Sequence, residues 1–218
     1  MSDLNSSLEQ IGDRVRSAFS AKHGAREKAI KLSRDAIYKC STSIRAIHRG
    51  EYELARSLAD AAKSLLDEVN EAITEHTDLK FTGFVNDSNK EYAEARITLA
   101  LISGEKIPGP DELGVGYSPY LNGLGEAAGE LRRHILDCMR RGEMDRCEEI
   151  LNMMDEIYGL LVTIDFPDAM TGGLRRTNDM VRGVLERSRG DLTVALRQKE
   201  LERKLDIFNQ RSELNSSG

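Results

Sequence analysis

Proline occurs only four times in the chain's 218 residues, at Pro108, Pro110, Pro119 and Pro167. Proline lacks a backbone donor and clashes with the preceding helical turn, so helices stop where it stands and run on where it is absent. The long stretch before Pro108 therefore carries no such stop, and its apolar residues recur at helical spacing. Ile30, Ile37 and Ile44 repeat every seven residues, with Cys40 and Ile47 on the same stripe, and Gly50 closes the run. From Glu51 to about Thr77 a second helix carries Leu54, Leu58, Ala61, Leu65, Val69 and Ile73. A third, about 84–103, places Val85, Tyr92, Ala95, Leu99 and Ile102 on one side.

Residues 104–119 hold three prolines and four glycines and read as the interior loop. Beyond it the pattern predicts a helix from near Pro119 to Gly142, one over about 143–161, and one over about 169–188. Asp191 is a candidate N-cap for a last helix to about residue 210. Its apolar edge, Leu201, Leu205 and Phe208, is expected to pack on its own domain, a partner subunit being the alternative. No segment alternates as a strand would. The expectation is an all-α bundle of about seven helices forming a single domain over residues 1–218, with a flexible tail after about residue 210.

Composition narrows the setting. Three cysteines, Cys40, Cys138 and Cys147, form no C-x-x-C pair, which argues against a disulfide framework and for a reducing compartment. The first residues lack a continuous apolar segment and no run approaches a membrane span, so a cytoplasmic protein is expected. A net charge of −6 disfavours nucleic acid as a partner of the chain at large. Locally the balance reverses: residues 26–49 carry seven Lys or Arg against Glu27 and Asp35. Lys31, Arg34, Arg45, His48 and Arg49 lie broadly on one side, either a solvated face or a phosphate-facing one. A second basic cluster holds Arg175, Arg176, Arg182, Arg187 and Arg189.

The stretch YLNGLGEAAGELRR, residues 120–133, resembles a glycine-rich phosphate loop only briefly. No strand precedes its glycines, their spacing is G-x-G-x-x-x-G, and no G-K-[ST] follows. As a helix, Leu124, Ala128, Leu131, Ile135 and Cys138 share one stripe, with Glu126 and Glu130 neighbours at i,i+4 on an adjacent side. Gly123, Ala127 and Gly129 remove bulk around them. KEYAEA offers a counterpart, Glu91 and Glu94 at i,i+3. Two acid pairs beside packing faces suit a hard divalent cation such as Mg²⁺ or Mn²⁺, whereas spacing alone equally describes solvated surface acids. A ferritin-like di-iron centre is excluded because no His follows these glutamates at Glu-x-x-His spacing. His134 and Cys138 at i,i+4 lack the second ligand pair a zinc site needs.

Taken in order, these segments resemble the translin family. REKAIKLSRDAIYKCSTSIRAIHRGE is similar to its N-terminal helix, and NKEYAEA, YLNGLGEAAGELRR, RRGEMDRCEEILNMMDEIYGLL and RRTNDMVRGVLERSRGDLT follow in the family's order, over about residues 24–200. The resemblance implies a seven-helix fold that assembles into closed shells and binds single-stranded or short duplex nucleic acid inside them. EYAE and EAAGEL resemble the acidic segments of the translin-associated factor X branch, which carries acids for Mg²⁺-dependent RNA cleavage. It thus implies a Mg²⁺ or Mn²⁺ endoribonuclease with Glu91, Glu94, Glu126 and Glu130 as metal-holding catalytic residues. Position 126 is Glu where the branch pattern has Asp. It also implies phosphate contacts by Arg34, Arg45, His48 and Arg49, with Lys31 beside them, and a homo-oligomer such as an octamer of archaeal type. The alternative it leaves is a non-catalytic, translin-like binder of single-stranded RNA or DNA.

Overall fold

The structure is a computed structural model describing the backbone of residues 2–216 and the side chains of residues 5–210. Among these residues every regular element is helical: α1 (Ser2–His48), α2 (Tyr52–Ala72), a 3-10 turn (Thr77–Phe81), α3 (Gly83–Ser103), α4 (Pro110–Leu113), α5 (Tyr117–Arg141), α6 (Met144–Val162), α7 (Asp168–Thr171) and α8 (Leu174–Ser216). The all-α expectation holds. The chain divides into two units, Met1–Gly123 and Leu124–Gly218, and α5 belongs to both.

In the first unit α1 and α2 form an antiparallel hairpin. Its turn is set by Gly50, whose φ of 75° is a left-handed conformation that costs glycine nothing. The buried seam consists of Ala29, Ser33, Ala36, Cys40, Ser43 and Ile47 on α1 and Ala55, Ala59, Ala62, Leu66, Val69 and Ile73 on α2. On each helix the spacing alternates four and three, the rhythm of a coiled-coil seam. This corrects the sequence expectation by one position. Ile30 and Ile37 are only half-buried, Leu58, Ala61 and Leu65 likewise, and Leu54 is 47% exposed. The reason is size: small residues let the two backbones close up, near enough for the Ser43 hydroxyl to donate to the Ala55 carbonyl at 2.8 Å. Close approach gains contacts along both helices that a wider, leucine-filled seam would forgo.

α3 packs on both helices of this hairpin, with Val85, Tyr92, Ala95, Leu99 and Ile102 buried as expected. Four boundaries differ from expectation. α1 begins at Ser2, well ahead of the apolar repeat that opens at Ile30, since Gly12 and Gly24 weaken a helix by only about 1 kcal/mol each and no proline intervenes. α2 ends at Ala72, about a turn before the expected Thr77, where the 3-10 turn begins. The loop contains α4, begun by Pro110 at the first helical position.

The fourth difference lies in the second unit. The two last helices expected from sequence are one, because Val181, Leu185, Ser188 and Leu192 keep a single buried rhythm across Gly190. Asp191 therefore caps nothing; it accepts a hydrogen bond from Arg132 at 2.8 Å. α6 packs on α8, and its buried residues are Cys147, Ile150, Met154, Ile157 and Leu161. Asn178 on α8 donates to the Leu161 carbonyl at 3.2 Å, satisfying an acceptor in the last turn of α6. Leu201, Leu205 and Phe208 are all exposed, contrary to the expected packing on their own domain. The flexible tail expected after about residue 210 lies outside the residues whose side chains are described. Among the described residues no helix is long and apolar enough to cross a membrane.

Candidate functional site

The first acid pair rests on α3, in the first unit. Glu94 is 8% exposed and Glu91 half-buried, and they offer carboxylate oxygens within 4.8 Å of each other. The helix brings them together because residues three apart lie one above the other on the same face. Lys90 stands beside them, its Nζ 3.9 Å from the Glu91 carboxylate. Behind them lies Cys40 of α1. Burial first, and then the negative charges of Glu91 and Glu94, push its thiol up to about 12. At neutral pH Cys40 remains a neutral thiol, so the donors gathered on this face are oxygens. The sequence reading placed Cys40 in the core stripe and did not see that it backs the acids; heptad phase alone cannot say which third helix a seam residue touches.

α5 comes against α3 at Gly123. A Cβ on Gly123 would stand 2.6 Å from the Lys90 carbonyl and 3.0 Å from the Glu94 nitrogen, so only glycine allows this approach without displacement. The expected role of Gly123 as packing clearance is therefore met. Gly129 does not share it, since a Cβ there would meet nothing within 4 Å. The second tight glycine is Gly125, which the sequence reading did not assign. In the second unit a Cβ on it would lie 2.2 Å from Thr177 Cγ2 of α8. Two glycines two residues apart face opposite sides of a helix, one for each neighbour.

Glu126 and Glu130 are half-buried on α5, one turn apart. By helical phase both lie on the same side of α5 as Gly123, three and seven residues on, and away from Gly125. Each pair taken by itself offers only carboxylate oxygens, donors that fit Mg²⁺ or Mn²⁺ and do not fit a soft metal.

Along α1, Lys31, Arg34, Arg45 and Arg49 are exposed and His48 is half-buried. By helical phase they occupy an arc of roughly 100° directed away from the α2 seam. Arg49 is paired with Glu51 at 2.6 Å, and Arg45 donates to Thr42 at 3.1 Å. The second basic cluster is more fully engaged: Arg175 pairs with Asp165, Arg182 with Asp179 and Arg189 with Asp155, at 3.2, 3.3 and 3.0 Å.

No family model matches the chain. The uncharacterized protein MJ0175 of Methanocaldococcus jannaschii is 30% identical over 185 residues, covering 83% of this chain and 80% of the relative. Among solved structures, AfC3PO in complex with duplex RNA superposes with a TM-score of 0.78 at 33% identity, over 84% of this chain and 95% of that one. AfC3PO alone gives 0.76 at the same identity and coverage. The structure of apo-NeC3PO, at 20% identity and a TM-score of 0.76, covers 84% of this chain and 96% of its own, and shares the fold. The likeness extends over more than four fifths of the chain: this protein belongs to the translin family, among its C3PO and translin-associated factor X type members.

Proposed function

We propose that this protein is a divalent-metal-dependent endoribonuclease that binds short RNA within a homo-oligomeric shell. The observation that carries the reading is the acid pair Glu91 and Glu94, drawn together on the half-buried face of α3 beside the close approach at Gly123. Glu126 and Glu130 complete the set in this reading, because they follow Gly123 on the same side of an unbroken α5. RNA as the ligand is supported by likeness to AfC3PO, which has been solved with duplex RNA.

The chain's own residues divide the work. Lys31, Arg34, Arg45, His48 and Arg49 hold the phosphate backbone with little choice of base, since phosphate contacts position a strand and carry no sequence information. Glu91, Glu94, Glu126 and Glu130 hold Mg²⁺ or Mn²⁺, an ion that when bound polarises a phosphate ester and lowers the pKa of a water ligand. One carboxylate of the set accepts the proton of the attacking water. Partial burial of Glu91 and Glu94 strengthens each of these interactions relative to open solvent.

The test is direct. Labelled single-stranded and duplex RNAs are incubated with the protein and Mg²⁺, Mn²⁺ or EDTA. Cleavage that needs metal and disappears in Glu94→Gln and Glu130→Gln supports the reading. Salt-sensitive binding with no cleavage in any condition overturns the enzymatic part and leaves a translin-like binder of RNA or single-stranded DNA.

A further inference from the structure

One aromatic ring interrupts the basic face of α1. Tyr38 is 63% exposed, the only large apolar side chain of residues 26–49 that is so open. By helical phase it lies within about 40° of Lys31, Arg34, Arg45 and Arg49, inside the arc they share. Along the axis Arg34 stands about 6 Å to one side of it and Arg45 about 10.5 Å to the other. Asp35, the acid nearest in sequence, falls outside that arc.

The turn that carries the ring also draws in a cation. Ser41 and Thr42 both donate to the Tyr38 carbonyl, at 3.1 and 2.8 Å. Arg45 donates in turn to the Thr42 hydroxyl at 3.1 Å, which brings its guanidinium back toward the turn of Tyr38. The fold itself has no use for this ring. Among the described residues the Tyr38 hydroxyl makes no hydrogen bond, whereas Tyr92 is buried and the Tyr120 hydroxyl donates to the Pro108 carbonyl at 3.0 Å. Tyrosine is also a poorer helix former than lysine or arginine, so helix propensity does not explain it.

A ring set between cations matches the make-up of a nucleic-acid strand, whose phosphates carry charge and whose bases present flat apolar faces. Stacking on an aromatic ring accepts every base. In a duplex those faces are stacked on one another, and only an unpaired base is free to lie on a protein ring.

We propose that Tyr38 is a stacking platform for an unpaired base of the RNA whose phosphates Arg34 and Arg45 hold, so that α1 favours single-stranded over fully paired segments. The proposal rests on the reading above that this face of α1 holds RNA, and it is independent of the chemistry of the acids.

Binding to the full-length protein in EDTA, where metal-dependent cleavage does not intervene, tests it with three ligands of equal length. These are a single-stranded RNA, the same strand with abasic sugars throughout, and a blunt RNA duplex. The wild type should bind the single strand more tightly than its abasic counterpart. Tyr38→Leu, with helical content unchanged, should weaken the single strand about tenfold and the other two by less than about twofold. Tyr38→Phe, which keeps the ring and loses the hydroxyl, should bind like the wild type. Arg34→Ala should weaken all three alike, which marks the phosphate contribution. An equal loss on the abasic strand, or Tyr38→Phe as weak as Tyr38→Leu, would assign Tyr38 to a phosphate contact through its hydroxyl and overturn the proposal. An equal loss on the duplex would overturn the choice of unpaired bases. Full single-strand affinity in Tyr38→Leu removes the platform and leaves RNA binding by α1 standing. A wild-type protein that binds none of the three at low salt removes both.

Discussion

Gly123 lies against Lys90 so closely that a single added methyl would stand 2.6 Å from the Lys90 carbonyl oxygen. The contact joins the start of α5 to the turn of α3 that carries Glu91 and Glu94, and it is made by backbone on one side and no side chain on the other.

Gly123→Ala must therefore push two helices apart. Overpacking of this kind costs about 1–3 kcal/mol, against a gain of about 1 kcal/mol from replacing a helical glycine. Urea unfolding should show a net loss for Gly123→Ala. Gly129→Ala, which meets nothing within 4 Å, should instead raise stability by up to about 1 kcal/mol.

Gly125 gives a reciprocal case. An alanine there collides with Thr177 Cγ2, so Gly125→Ala should destabilise the second unit, and Thr177→Ser, which deletes that methyl, should restore part of the loss. A double-mutant cycle by thermal or urea unfolding measures the coupling. Simple additivity would show that the clash is relieved elsewhere.

Arg132 bridges α5 to α8, donating to Ser188 at 3.2 Å and to Asp191 at 2.8 Å. The pair is only partly shielded, so Asp191→Ala should cost about 1 kcal/mol, with much of the effect screened by high salt. An unchanged urea midpoint at low salt would count against a stabilising bridge.

The tie between α1 and the 3-10 turn should respond to acid. A hydrogen bond from Lys22 holds the Asp78 carboxyl below its ordinary value. A carboxyl depressed in the folded state stabilises above the ordinary carboxylate range and loses that contribution as pH falls through the lowered value. Exchange of amides near residues 19–22 should therefore rise below the ordinary carboxylate pKa in the wild type. Asp78→Asn, which lacks the titrating group, should exchange faster at neutral pH and lose that acid dependence.

If the exposed bases of α1 hold RNA, Arg34→Ala and Arg45→Ala should each reduce the slope of log affinity against log salt by about 1, with similar losses for unrelated sequences. A change confined to one RNA sequence would point to base recognition instead.

Much of the fold was legible one residue at a time. Missing prolines, helical apolar spacing and Gly50 predict two helices broken at Gly50, and Val85, Tyr92, Ala95, Leu99 and Ile102 lie buried as their spacing requires. The misreadings share a cause. Ile30 and Leu54 looked like core because they are large, yet the buried stripes run through Ala29 and Ala55 beside them. A helical pattern offers adjacent stripes one residue apart, and only the partner's own surface decides which packs more closely.

The sequence by itself determined that the chain is helical, where its main loop falls, and which glutamates can stand as neighbours, because these depend on interactions within a few residues. Tertiary structure alone decided that Gly123 and Gly125, not Gly129, are the points of closest approach, that Cys40 backs Glu91 and Glu94, and that α8 runs unbroken past Asp191. Each of those depends on atoms far apart in the chain, whose distances follow from how side-chain volumes fit together and leave no trace in local periodicity.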